Sequence, residues 1–303
     1  MQQVTNKVLE VAEALVARLG RRGFKISPKS VILTSPPQLA AQVAARLERR
    51  GLQIKAPPTA KDLGVDAHTH RRSTKVIKGR ITKAGKRAQA IKGLVRADRA
   101  ARTLARTGFK PQATWGLEAQ GLAPSTLRTL RSQVAGMSGC KYPGGCATTT
   151  IRLAYGEEAD PHIFGCLQLF KEWFALVKEL EPQRAALNLA WTRLVRQLRD
   201  APSRWGRIKG TVSAVIATLL DLEWDPVGPG HWTDLDGAEY DLVKCDPDEL
   251  IDYAIAGAVN QQVWNAVSKW HHGGGAQGRH RRESLFCTLR LSSASQEVPW
   301  LPS

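Results

Sequence analysis

The positive charge of this chain is concentrated in one segment. Residues 71–110 carry fourteen Lys or Arg side chains and a single acid, Asp98. Such a density of one sign attracts polyanions and makes their binding dependent on salt. The alternative interpretation is that these charges form an ordinary solvent-exposed helix face that has no binding role.

The distribution of charge over the whole chain favours the first interpretation. Residues 1–130 hold 26 basic and 7 acidic side chains, whereas residues 131–303 hold 18 and 20, so the first part carries the whole formal excess of +17. This asymmetry predicts RNA or DNA as the partner, bound without sequence preference. A membrane partner and a small-molecule substrate are not expected.

Length and composition define the class of protein. A chain of 303 residues is long enough for two domains, and a hydrophobic content of 43% excludes a wholly disordered chain. No apolar run reaches the roughly 18 residues of a membrane-spanning helix, and no signal peptide is recognised at the N-terminus. Five cysteines are too few for a disulfide scaffold, which predicts an intracellular protein of the nucleus or cytoplasm.

The first 70 residues read as a small mixed α and β region. An apolar stripe from Val4 to Leu19 predicts a helix over 3–20. Short strands are predicted at 30–34, 52–55 and 62–65. A second helix is predicted to begin with Ser35 as its cap and Pro36 in its first turn, and to stop at Gly51.

The basic segment is predicted to form one long helix over 82–107. Ala84, Ala88, Ile91, Val95 and Leu104 supply its apolar stripe, and Gly108 and Pro111 end it. Another helix is predicted over 124–137.

The second half is predicted to be mainly helical, with helices at 162–180, 183–199 and 207–221. Turn residues between aromatics in Asp221–Leu242 indicate a β-hairpin, and Asp246 caps a last helix through Trp270. The predicted fold is α+β and mostly α. The predicted regions are 1–70, 71–140, 141–270 and a disordered tail at 271–303.

The order of motifs in residues 1–140 resembles the end of the palm and the thumb of a non-LTR retrotransposon reverse transcriptase. Gly23 precedes Lys29-Ser30 at the spacing of a turn in that family, and Leu63-Gly64 match its primer grip. The basic helix lies where the family's thumb begins, and residues 141–270 lie where a helical region follows it. The resemblance therefore implies contact with nucleic acid. The predicted binding residues are Lys29, Leu63, Gly64, Arg71, Arg72, Lys83, Lys86, Arg87, Lys92, Arg96, Arg99, Arg102 and Arg106.

The resemblance does not extend to the catalytic centre. A reverse transcriptase needs carboxylates that hold two Mg²⁺ ions, in the family at an aromatic-x-Asp-Asp hairpin, and this sequence contains no adjacent Asp-Asp pair. We therefore predict no catalytic residue, and no cofactor unless an upstream palm supplies a Mg²⁺ site. Two alternatives remain: a basic RNA-binding or ribosome-associated module unrelated to polymerases, and a C-terminal piece of an active RNA-directed DNA polymerase.

Three other features carry less weight. Tyr155-Gly156-Glu157-Glu158 has an aromatic and two acids, but it follows the primer-grip motif and is predicted to be a solvated turn. The Cys-x5-Cys-x15-His-x3-Cys spacing starting at Cys140 is poor for zinc, and Cys166 lies on an apolar helix face, so no metal site is predicted. Most of the nine tryptophans are predicted to be core residues, although tryptophan can also stack on bases.

Overall fold

The chain has an α+β fold that is mostly α, and its described residues form two small antiparallel sheets. The computed structural model describes residues 2–27, 29–34, 37–49, 51–62, 65–68, 74–140 and 146–273. The chain divides into two compact units, Met1–Asn260 and Gln261–Ser303. None of the helices in these ranges is both long enough and apolar enough to cross a membrane.

The elements are given in the order in which they follow one another along the chain. The helices are α1 Gln2–Arg21, α2 Pro37–Glu48, α3 Lys75–Ala97, α4 Lys110–Thr114, α5 Leu117–Gln120, α6 Pro124–Met137, α7 Ala147–Tyr155, α8 Pro161–Glu179, α9 Arg184–Arg199, α10 Thr211–Asp221, α11 Pro247–Glu249 and α12 Ala256–Gly273. The strands are β1 Thr59–Asp62, β2 Val65–His68, β3 Asp225–Gly228, β4 His231–Thr233 and β5 Glu239–Asp241. Short 3-10 or π turns occupy Arg99–Arg102, Ala105–Phe109, Glu157–Ala159, Glu181–Gln183, Arg204–Arg207 and Leu250–Ile255.

The strands predicted in the first 70 residues are wrong in position. Segments 30–34 and 52–55 share a single parallel bridge, Val31↔Lys55, because Ile32, Leu52 and Ile54 pack against the α1–α2 core instead of building a sheet. The chain that follows forms the antiparallel β1–β2 hairpin, with Asp62 paired to Val65. Asp62 and Val65, the two ends of the predicted strand at 62–65, therefore belong to different strands. Leu63 and Gly64, the predicted primer grip, and Ser35 and Pro36 lie outside the described residues.

The basic helix is shorter and earlier than predicted. Helix α3 spans Lys75–Ala97 and ends at Asp98, whose backbone is extended (φ −141°, ψ 122°). The Asp98 carboxylate accepts a hydrogen bond from Ala100 N–H at 2.8 Å and so starts the next, 3-10 turn. Gly108 and Pro111 do not stop the helical path, which continues through a π turn into α4.

A hydrophobic core joins α3 to the middle of the chain. The predicted stripe is buried at Ala84, Ala88, Ile91 and Val95, whereas Leu104 is exposed. These residues pack with Leu127, Leu130, Val134 and Met137 of α6, whose bounds agree with the predicted 124–137. One face of α3 is therefore fixed against the protein.

The predicted helices of the second half are confirmed to within a few residues. Helices α8, α9 and α10 surround a core in which the rings of Trp173 and Trp191 stack with centroids 5.4 Å apart. The predicted hairpin is part of a three-stranded sheet in the order β3–β4–β5. Asp246 caps α11 as predicted, by accepting from Asp248 and Glu249 N–H. Within the predicted tail, residues 271–273 belong to α12, and 274–303 lie outside the described residues.

Candidate nucleic-acid interface

Helix α3 is anchored at its N-terminus by a carboxylate from the β1–β2 hairpin. Asp66 is buried, and its Oδ2 accepts hydrogen bonds from the backbone N–H groups of Val76 at 3.0 Å and Ile77 at 3.4 Å. The side-chain amide of Gln120 in turn donates to the Asp66 carbonyl. The first-turn N–H groups, which have no partner within the helix, are thus satisfied by a distant residue.

The lysines of α3 form a solvent-facing surface. The helix contains eight basic side chains and no acid. Lys78, Lys83, Lys86 and Arg96 are exposed and Lys92 is partly buried. Among the described residues, none of these five side chains forms an ion pair. We call these five residues the α3 cationic surface.

Three arginines of the basic segment have a structural role instead. Arg80 donates to the carbonyl of Trp115, and Arg87 Nη1 donates to the carbonyl of Gly108 at 2.8 Å. Arg102 donates through Nε and Nη2 to the carbonyl of Ser138 at 3.2 and 2.8 Å. Arg80 and Arg87 thus fasten the segment between α3 and α5 to the basic helix, and Arg102 fastens the 3-10 turn Arg99–Arg102 to the end of α6. Two of the predicted nucleic-acid-binding residues, Arg87 and Arg102, therefore form hydrogen bonds to backbone carbonyls of the protein itself.

The C-terminal end of the basic segment contacts an acid of the second half, Glu158. Arg106 Nη2 lies 3.5 Å from Glu158 Oε2, with side chains 67% and 84% exposed, so the pair contributes little to stability. Burial lowers the pKa of Lys110, Arg106 lowers it further, and Glu158 opposes the shift. The Lys110 ammonium sits 4.5 Å from the centre of the Phe164 ring. Arg99 is exposed.

The remaining predicted contact residues lie away from α3 in sequence or outside the described ranges. Lys29 is exposed in the loop between α1 and α2, where its backbone N–H donates to Ser27 Oγ at 3.2 Å. Arg71 and Arg72, like Leu63 and Gly64, fall outside the described residues.

The cysteine and histidine spacing does not produce a metal site in the part of the chain that the structure describes, where no group of three potential ligands is found. Cys166 is buried in the core as predicted, and burial raises its thiol pKa to about 12. Burial also lowers the pKa of His162 to about 4, although Asp160 acts in the opposite direction. The nearby Asp160 carboxylate accepts three bonds from Arg131, at 2.9, 3.1 and 2.9 Å.

Tyr155 ends helix α7, so the predicted turn is found only from Gly156 onward, where Glu157–Ala159 form a 3-10 turn whose acids have partners. Glu157 lies 3.1 Å from Arg152, and Glu158 pairs with Arg106. Both carboxylates therefore balance local arginines.

Two candidate residues were missed by sequence reasoning. Lys78 precedes the predicted start of the basic helix, so the early start of α3 adds it to the surface. Trp115 is 61% exposed in the turn between α4 and α5. Its signal in the sequence is its position before Gly116, in a turn that lies outside every apolar stripe.

Comparison of the chain with protein-family models, with curated proteins and with solved structures finds no match.

Proposed function

We propose that this protein binds RNA or DNA through the phosphate backbone, using the α3 cationic surface. The observation that carries the proposal is that the basic side chains of this segment fall into two groups, one with structural partners and one that faces solvent. Arg80, Arg87 and Arg102 bond to backbone carbonyls, while the five residues of the surface form no ion pair with any side chain that the structure describes. A run that served only to balance the acids of the second half would place its lysines beside those acids.

The length of the surface suits a polyanion. Lys78 and Arg96 are separated by 18 residues, which corresponds to about 27 Å along an α-helix. A nucleic-acid backbone presents several phosphates over such a length, and lysines contact them as point charges without reading bases. Binding is therefore expected to be independent of sequence and sensitive to salt.

The retroelement resemblance agrees with this function and belongs to the same proposal. Residues 1–140 would derive from the end of a reverse transcriptase palm and its thumb, and the thumb would provide the basic helix. The proposed activity is binding without catalysis, in the nucleus or cytoplasm. An active RNA-directed DNA polymerase would require Mg²⁺-binding carboxylates from elsewhere.

The proposal is tested by removing charge at the surface and, in equal amount, elsewhere. The test variant carries Lys83→Gln, Lys86→Gln and Lys92→Gln. The control carries Lys171→Gln, Lys178→Gln and Arg193→Gln, three exposed positions on α8 and α9. We expect the test variant to bind several unrelated duplexes about tenfold or more weakly, with similar losses for each sequence.

The control variant is expected to bind as the unmodified chain does. Equal losses in the two variants would show that net charge alone determines binding and would refute an interface on α3. A loss confined to one duplex sequence would contradict binding through phosphates.

A further inference from the structure

Trp115 differs from the other tryptophans whose side chains the structure describes. The side chains of Trp173, Trp191, Trp224 and Trp232 are buried, those of Trp205 and Trp264 are partly buried, and that of Trp115 is 61% exposed. A single exposed apolar residue needs no explanation by itself. Trp115 is distinguished by the backbone turn that holds it and by the basic residues beside it.

The backbone beneath the indole is held from two sides. Trp115 is the C-cap residue that follows helix α4, and Gly116 adopts φ +76°, a backbone conformation that residues with a side chain rarely adopt. A Cβ atom at Gly116 would lie 2.6 Å from Val65 Cγ2, so the turn packs closely on the β1–β2 hairpin. On the other side, the Arg80 guanidinium donates to the Trp115 carbonyl. The indole is therefore presented by an ordered turn.

The same contact places Trp115 beside the basic helix. Arg80, Lys83 and Arg87 occupy successive turns on one side of α3, at steps of three and four residues. Arg80 touches the Trp115 turn, and Arg87 reaches the carbonyl of Gly108. Lys83 lies between them on the row and is exposed. Burial lowers the pKa of Arg80, while Asp66 and Glu118 oppose that shift.

We propose that Trp115 is a base-stacking site, and that the preferred ligand is a duplex with an adjoining unpaired nucleotide. The inference rests on the proposed function, because Lys83 and its neighbours would hold the phosphates of the duplex. An indole face accepts any base, and stacking of this kind requires a base that has left the helix. Phosphate contacts and stacking together would direct the protein to ends and junctions rather than to continuous duplex.

The test compares three probes of the same duplex sequence: a blunt duplex, the duplex with a short single-stranded 3′ extension, and the duplex with an extension of the same length that lacks bases. The unmodified chain is expected to prefer the extension with bases. Trp115→Ala is expected to lose about 5-fold to 100-fold in affinity for that probe and to bind the other two as before. Trp115→Phe, which keeps an aromatic face, should retain most of the preference.

Tyr253→Ala is the matched control, because Tyr253 is another aromatic side chain, 78% exposed, on a different element. It should leave all three affinities unchanged. If Trp115→Ala keeps the preference for the extension with bases, or if the unmodified chain binds the two extensions equally, the stacking site is refuted while phosphate binding stands. If the unmodified chain binds none of the three probes at low salt, the proposed function and the stacking site both fail.

Discussion

The carboxylate of Asp66 caps helix α3 from outside the helix, with its Oδ2 3.0 Å from the backbone nitrogen of Val76. Ten residues separate the two in sequence, and the intervening chain includes residues 69–73, which lie outside the described ranges. Because Asp66 belongs to β2 and is buried, the position of the basic helix depends on the β1–β2 hairpin.

Replacing Asp66 is therefore expected to weaken the anchor of α3. Asp66→Ala should lower the free energy of unfolding by about 1–2 kcal/mol, because two backbone N–H groups lose their acceptor. Asp66→Asn keeps an acceptor oxygen and should cost less. Chemical denaturation monitored by circular dichroism measures both, and equal stability of Asp66→Ala and the unmodified chain would contradict the capping role.

The Arg131–Asp160 pair is expected to be the most sensitive ion pair of the described residues. Asp160 is fully buried and accepts three hydrogen bonds from Arg131. Arg131→Met would leave a buried charge without its partner, at a cost of about 3–5 kcal/mol. Arg184→Met, which breaks an exposed pair with Glu181, should change the free energy of unfolding by less than about 1 kcal/mol. Similar losses in the two variants would contradict this account.

Acid is expected to destabilise the fold partly through His162. Burial lowers its pKa to about 4 in the folded chain, whereas an unfolded histidine titrates near 6.5. The unfolded state therefore binds the proton first as the pH falls, and stability is lost between about pH 6.5 and pH 4. At pH 4 the protonation of His162 in the unfolded state lowers the free energy of unfolding by about 3 kcal/mol relative to neutral pH.

His162→Gln isolates this effect, because it removes the titrating group and leaves the other acids and bases in place. Between pH 7 and pH 4, its free energy of unfolding should fall less steeply than that of the unmodified chain. Parallel pH profiles for the two proteins would show that His162 titrates normally in the folded state.

The cysteines are expected to differ in reactivity. Burial raises the pKa of Cys166 to about 12, so its thiolate is scarce and shielded, while Cys140 is exposed. A thiol-alkylating reagent should modify Cys140 in the native protein and reach Cys166 only after unfolding, as read by mass spectrometry of peptides. The purified chain should also lack stoichiometric zinc. Rapid native labelling of Cys166, or one zinc per chain lost on replacing Cys140, would contradict the core assignment.

Periodic apolar residues predicted the helical part of the fold well. Helix α6 has the predicted bounds because Leu127, Leu130 and Val134 set its buried face and Pro124 sets its start. The apolar pattern predicted the basic helix to begin at residue 82, seven residues too late, and to continue past Asp98. Aspartate is a typical N-cap residue, and Asp98 does start a new turn. The apolar stripe could not reveal that a carboxylate from another element caps Lys75–Ala97.

Side-chain partners were the least predictable part of the candidate site. Lysine and arginine look alike in a count of charge, yet Arg87 and Arg102 hold carbonyls while Lys83 and Lys86 face solvent. Planar guanidinium groups suit fixed bonds to backbone, and this difference appears only once the chain has folded. The prediction of strands at 30–34 and 52–55 was wrong for a related reason, because Ile32 and Ile54 pack against helices α1 and α2 and not against a sheet.

The slope of binding against salt tests the central claim most directly. Affinity for a duplex is measured between low and physiological salt for the unmodified chain and for the variant with Lys83→Gln, Lys86→Gln and Lys92→Gln. Each neutralised phosphate contributes about 0.7 to 0.9 to the slope of log affinity against log salt, so the variant should show a slope flatter by about two to three. Arg87 is left in place because it holds the Gly108 carbonyl. A salt-independent affinity in the unmodified chain, or equal slopes in the two proteins, would contradict phosphate binding by helix α3.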